Sequence, residues 1–280
     1  MNHLDWFRSC LHLSGFGSTI SSMAMMLALV PLALATVAQA DDRDRFEAGT
    51  FTDAAGTKLL YRLLKPKDYD ATKKYPLVLF LHGAGERGNN NSAQLVHGMA
   101  DFASDKIMAS YPAFVLAPQC PTGDKWVDVD WSAAKHDMPE KPASPMRLTL
   151  AVIEKLRKDF SIDSDRLYIT GLSMGGYGTW DAIQRHPNLF AAAAPICGGG
   201  DPKLASKIGK LPIWAFHGDK DTAVKVERSR EMIDAIKAAG GSPKYTEYPG
   251  VGHDSWTATY KNPEFYQWLF AQRRPAPAAK

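Results

Sequence analysis

Ser173 sits at the centre of Gly171-Leu172-Ser173-Met174-Gly175, and a serine so placed can act as a nucleophile. The apolar run RLYIT leads into it and the helix-forming stretch MGGYGTWDAIQ leads out. A strand-to-helix turn that sharp strains its central residue and needs glycine on either side, where side chains would collide. The hydroxyl then projects from the top of a sheet, beside the free amides of a helix start that favour an anion. The plainer alternative is a glycine-rich turn in which Ser173 only caps a helix. A second stretch, His82-Gly83-Ala84-Gly85-Glu86-Arg87-Gly88, follows the run PLVLFL. Its small residues leave backbone N–H groups uncovered, so the amides of Ala84 and Met174 are the expected donors of an oxyanion hole. It lacks the spacing and the Lys-Ser/Thr ending of a phosphate-binding loop. His82 is expected to orient this loop, with Glu86 and Arg87 as structural or rim residues.

The third stretch is His217-Gly218-Asp219-Lys220-Asp221, after the run PIWAF. Two carboxylates there compete to orient a histidine, and the wide loop after the strand favours Asp221 over Asp219. The alternative is a solvated acidic turn. The fourth is Gly250-Val251-Gly252-His253-Asp254-Ser255-Trp256, after YTEYP. A lone loop histidine is usually just exposed, but His253 completes the chain order Ser, Asp, His, which makes it the expected general base. The chemistry expected of such a set is acyl transfer through a covalent intermediate. His253 would take the proton of Ser173 as its oxygen attacks a carbonyl, and Asp221 would fix the imidazole tautomer. His97, His136 and His186 have no comparable context. No pair of His, Cys, Asp or Glu shows metal-ligand spacing such as His-Glu-x-x-His, so neither a metal nor a cofactor is expected.

These residues must be brought together by the elements between them. Strands are expected over 46–51 and 59–64, around a turn at 53–56, and over 76–82, 113–117, 166–170, 191–196, 212–217 and 245–248. Helices are expected from Ser144-Pro145 to Phe160, and over 174–186, 224–239 and 263–270. Alternating strands and helices imply right-handed crossovers and a mostly parallel α/β sheet covered on both faces, with its chemistry at the carboxyl ends of the strands. A long Pro-, Asp- and Lys-rich loop between 122 and 145 carries Trp126, Trp131 and His136 and leaves one such strand end. Trp126, Trp131, Tyr177 and Trp256 are therefore candidate substrate-binding aromatics, although a packed lid has the same signature.

Of the 280 residues 45% are apolar and 22% charged, with a net charge of +3 and no basic run, which excludes disorder and a nucleic-acid footprint. The uncharged stretch 23–37 ends in Ala38-Gln39-Ala40, followed by charged residues. It is too short for a membrane span and reads as a secretory signal peptide over 1–40. The start codon is then Met1 or Met23. Residues 41–280 would form a single catalytic domain, secreted or periplasmic, without stable membrane insertion. Cys120 and Cys197 each end an apolar run, and whether they could bridge depends on strand order.

Taken together, the run YITGLSMGGYGTWDAIQRHPNLFAAAAPICGGGD, with PLVLFLHGAGERG before it and PIWAFHGDKD and YPGVGHDSW after it, resembles the secreted esterase/predicted-peptidase branch of the α/β-hydrolase superfamily. That branch is similar to polyhydroxybutyrate depolymerases and to feruloyl or acetylxylan esterases, and more distantly to the prolyl-oligopeptidase catalytic domain. The likeness spans 46–272. It implies catalytic Ser173, Asp221 and His253, oxyanion donors at Ala84 and Met174, and the eight-stranded α/β-hydrolase fold. It also implies that Cys120 and Cys197 lie three strand spacings apart and stay as free thiols. Lys225 stands where the family often has proline, which alters a helix start rather than the triad. The expected activity is that of a serine carboxylic ester hydrolase on acylated polysaccharide or phenolic esters. A peptidase or an acyltransferase would share the motifs, and a non-catalytic binding module would typically have lost one of the three side chains.

Overall fold

The computed structural model describes residues 41–274, so the signal peptide expected over 1–40 lies outside the described residues. The strands are β1 (Glu47–Thr52), β2 (Lys58–Leu64), β3 (Tyr75–Leu81), β4 (Phe114–Gln119), β5 (Ile162–Leu172), β6 (Ala192–Ile196), β7 (Trp214–Gly218) and β8 (Lys244–Tyr248). They form one sheet in the order β1-β2-β4-β3-β5-β6-β7-β8. The first two pairings, β1 with β2 and β2 with β4, are antiparallel, and all the others are parallel. The helices are α1 (Met99–Ala103), α2 (Asp105–Ser110), α3 (Ser144–Asp159), α4 (Met174–Arg185), α5 (Ala205–Ile208), α6 (Glu227–Ala238), α7 (Trp256–Lys261) and α8 (Pro263–Ala271).

The period of two along each strand sorts its side chains between two cores. On one face Leu77, Leu79 and Leu81 of β3 and Leu167 and Ile169 of β5 join a cluster with Val152 and Leu156 of α3, Trp180 and Ile183 of α4 and Ile233 of α6. On the other face Val78, Phe80, Tyr168 and Phe216 pack with Phe102 of α1, Tyr260 of α7 and Phe265 and Leu269 of α8. Both faces are filled, so the chemistry is left to the sheet's rim. No helix among the described residues is long and apolar enough to cross a membrane.

Three differences from the sequence expectations have physical causes. β5 begins at Ile162 rather than 166, where Asp163 accepts from Arg166 and from the distant Arg273, a pairing invisible to local pattern. α6 begins at Glu227 rather than 224, because the Asp221 carboxylate accepts from the amides of Ala223 and Val224 and bends the chain around itself. α1, α2 and α7 have five or six residues each, too few to show helical periodicity. Cys120 and Cys197 are free and buried, and β3 and β5 lie between the strands that they follow.

Candidate active site

Ser173 links β5 to α4 at φ 53° and ψ −118°, a positive φ that an L-residue adopts only under strain. The surroundings enforce it. A Cβ on Gly175 would stand 1.9 Å from the Leu81 carbonyl oxygen, so glycine there lets α4 press against β3. The Ser173 amide donates to Ile196 O at 3.0 Å, and its carbonyl accepts from Tyr177 N at 3.1 Å. The hydroxyl is held above the carboxyl end of the sheet.

Asp221 and His253 arrive from the loops after β7 and β8. The two loops are tied at several points: Lys220 N donates to Val251 O at 2.9 Å, and Gly250 N to Asp219 Oδ1 at 2.6 Å. Their backbones come so close that a Cβ on Gly218 would lie 2.2 Å from Gly252 O. His253 Nδ1 is 2.7 Å from Asp221 Oδ2, and His253 Nε2 is 2.9 Å from Ser173 Oγ. With Nδ1 donating to the carboxylate, Nε2 is the acceptor that faces the hydroxyl. Asp221 is further held by the imidazole of His217, 3.2 Å away, which Ser229 Oγ and Val224 O fix in turn. Burial pushes the Asp221 carboxyl up, but the hydrogen bonds from His217, His253 and the Val224 amide outweigh it and hold the group well below the usual carboxylate range. Asp219, the competing carboxylate, is committed to the histidine loop's backbone instead.

Ala84 opens a short turn directly after β3, and Met174 is the first residue of α4, where a helix leaves its N–H groups without internal partners. The two segments adjoin, since a Cβ on Gly83 would be 3.7 Å from Ser173 Cβ. His82 is buried, with Nδ1 2.6 Å from Gly83 O and Nε2 accepting from Cys120 N at 2.9 Å, so it braces this loop against the end of β4. Cys197 Sγ, a carboxylate oxygen of Asp221 and a ring nitrogen of His253 lie within 4.8 Å of one another, the one such group of potential metal ligands among the described residues. Two of its three members already bind each other through the 2.7 Å hydrogen bond.

The aromatic candidates divide. Trp126 is 0% exposed and donates its indole N–H to His82 O at 3.0 Å, and Tyr177 is 1% exposed with its hydroxyl on Trp131 O. Both therefore support the site from beneath, and neither presents a face to a substrate. Trp131 is half-buried between the cations of Arg87 and Lys125 and borders a cavity of about 510 Å³ that reaches Ala223 of the acid loop. Trp256 stands edge-on to His253, with ring centroids 5.3 Å apart. The long loop is firmly anchored: Arg228 donates to Ala134 O and pairs with His136, Asp201 accepts from Met138 N, and Arg185 reaches Pro139 O and Glu140 O. Sequence reasoning passed over His217, Arg228 and His97, whose contacts lie far along the chain.

Burial pushes His82 down to about 4, and burial with the nearby Arg228 charge does the same to His136. A base depressed in the folded state is protonated first in the unfolded chain, so stability falls as pH drops from about 6.5 to about 4. For fully enclosed His82 this amounts to up to about 3 kcal/mol. His97, raised chiefly by its pairing with Glu86, partly offsets the loss because its stabilisation is complete at low pH. Urea unfolding should show a lower midpoint at pH 5 than at pH 7, and a midpoint that rises would contradict this account.

The order of strands and the serine, acid and histidine at three of their carboxyl ends agree with what the chain is similar to. Residues 129–266 match the Dienelactone hydrolase family. The solved structure of a thermostable esterase aligns at 45% identity with a TM-score of 0.77, covering 82% of this chain and 64% of that one. The chain has the α/β-hydrolase fold. The chain is also 36% identical over 103 residues to a bifunctional acetylxylan esterase/xylanase of Neocallimastix patriciarum, covering 35% of this chain and 15% of that protein. An uncharacterized secreted protein of Arthroderma benhamiae is 26% identical over 219 residues, 66% of this chain and 22% of that protein. The chain thus spans less than a quarter of the length of these two curated relatives.

Proposed function

We propose that the protein is a serine carboxylic ester hydrolase in which Ser173 is the nucleophile, His253 the general base and Asp221 its orienter. The observation that carries this reading is the unbroken line from Ser173 Oγ through both nitrogens of His253 to Asp221 Oδ2, at 2.9 and 2.7 Å. Ser173 Oγ attacks the ester carbonyl as its proton passes to His253 Nε2. The oxyanion accepts from the amides of Ala84 and Met174, each worth about 3 kcal/mol when aligned. Collapse expels the alcohol, which takes the proton from His253 and leaves an acyl group on Ser173. Water, deprotonated by the same imidazole, then releases the acid.

Acylated polysaccharides or phenolic esters are the proposed substrates, and the apparent leader over 1–40 supports export to where such polymers occur. The likeness to an acetylxylan esterase and to a secreted protein agrees with both points. Turnover of the protein on short p-nitrophenyl esters, feruloyl and acetylated sugars, and peptide amides tests the reading. Cleavage of the esters is expected, and cleavage of amides alone would overturn it.

A further inference from the structure

Glu86 lies on the turn that begins with Ala84, and its carboxylate is largely buried. Oε2 has no hydrogen-bond partner. That oxygen is 3.0 Å, and Ser173 Cβ 3.7 Å, from the point where a Cβ on Gly83 would stand, so the carboxylate oxygen and Ser173 Cβ are no more than about 7 Å apart. A negative charge so close to the oxyanion loop opposes the charge that develops on the acyl oxygen. One basic group meets it: His97 Nε2 is 3.5 Å from Glu86 Oε1. Neighbouring Arg87 turns instead to Ala84 O and Asp124 O. His97 also lies in the field of Asp254 and against the indole of Trp256, which meets the ring of His253 as well. His82, the remaining titratable group near Glu86, is kept neutral by burial.

We propose that His97 is a positioning residue that acts through Glu86: as an imidazolium it balances the carboxylate beside the oxyanion loop and keeps that loop receptive to negative charge. Pairing with Glu86 raises the His97 imidazole above its ordinary value despite partial burial, and it brings the Glu86 carboxyl below its own value against burial. The proposal rests on the ester-hydrolase reading.

Three variants, assayed on p-nitrophenyl acetate across pH 5.5–9, test it. His97→Gln is expected to lower kcat about tenfold with little change in KM, the scale of one uncompensated charge at this distance. Its deficit should grow as Glu86 loses the proton that it can take up in this variant, and shrink again at higher pH, where His97 of the parent loses its own charge. His97→Lys, which keeps the charge and loses the tilted ring contact with Trp256, should stay within about threefold of the parent at the pH values where the parent's His97 is charged, as should the double variant Glu86→Gln/His97→Gln. A double variant or a lysine variant as slow as His97→Gln overturns the proposal, as does a His97→Gln enzyme equal to the parent. In the folded parent, NMR titration of His97 should also give a pKa that falls in Glu86→Gln, and an unmoved value overturns the pairing whatever the kinetics. A parent without Ser173-dependent turnover removes the hydrolase reading itself, a result distinct from all of these.

Discussion

Ser173→Ala is expected to lower kcat on the order of 10⁶-fold while leaving the fold intact. The size follows from what the side chain does: its oxygen is the only atom of the residue within reach of His253 Nε2, at 2.9 Å. Without it there is no bond to form and nothing for the imidazole to deprotonate in the first step. The amides of Ala84 and Met174 would remain, so a residual acceleration over water of about 10³-fold or more should survive. The fold is spared because alanine carries the same Cβ as serine and meets the positive φ at the same cost, and the backbone bonds to Ile196 and Tyr177 do not involve the hydroxyl. Steady-state kinetics on a p-nitrophenyl ester with thermal unfolding of both proteins checks both halves. Retained full turnover would remove Ser173 from the reaction.

Asp221→Asn should cost about 10⁴-fold in kcat. The amide keeps the shape of the carboxylate but offers an N–H where His253 Nδ1 must donate, or else turns the imidazole to the tautomer that cannot accept the serine proton. It also removes the charge that stabilises the imidazolium. Two further bonds, to the amides of Ala223 and Val224, ask for an acceptor at Oδ1, so the asparagine oxygen is drawn there and its nitrogen is left facing His253. Asp219→Asn keeps a carbonyl oxygen for Gly250 N and should stay within about threefold of the parent. Kinetics on the two variants side by side decides the assignment, and the reverse ranking would transfer the role to Asp219. Because Asp221 stays ionised far into the acid range, the decline of activity on acidification should not follow this carboxyl.

Much of this site is legible in the chain because each part is local. The glycines around Ser173, the strand before it and the helix after it are contiguous, so a single turn accounts for all of them. The rim of the sheet was legible for the same reason: apolar runs end, and polar residues follow at once. Contacts between distant segments were not. Trp126 and Tyr177 are aromatic and near the right strand ends, yet nothing in their neighbours shows that one lies under His82 and the other under Trp131. His97 stands in a loop without periodicity, and its meaning comes from Glu86 on a different turn and from Trp256 far toward the other end of the chain. Arg228 is read from sequence as one more polar residue on a helix, whereas its guanidinium is buried and holds the long loop in place. Side chains that act across the fold leave no period and no spacing behind them.

His253 hangs from the loop after β8, a margin strand joined to the sheet on one side alone and with half-open side chains along its length. The interior strands β3 and β5 that lead to the oxyanion loop and to the serine are sheltered on both faces over most of their length. Local opening begins where shelter is thinnest. Warming would therefore loosen the imidazole's tether first, and the protein would fall silent while the centre of its sheet was still knitted together.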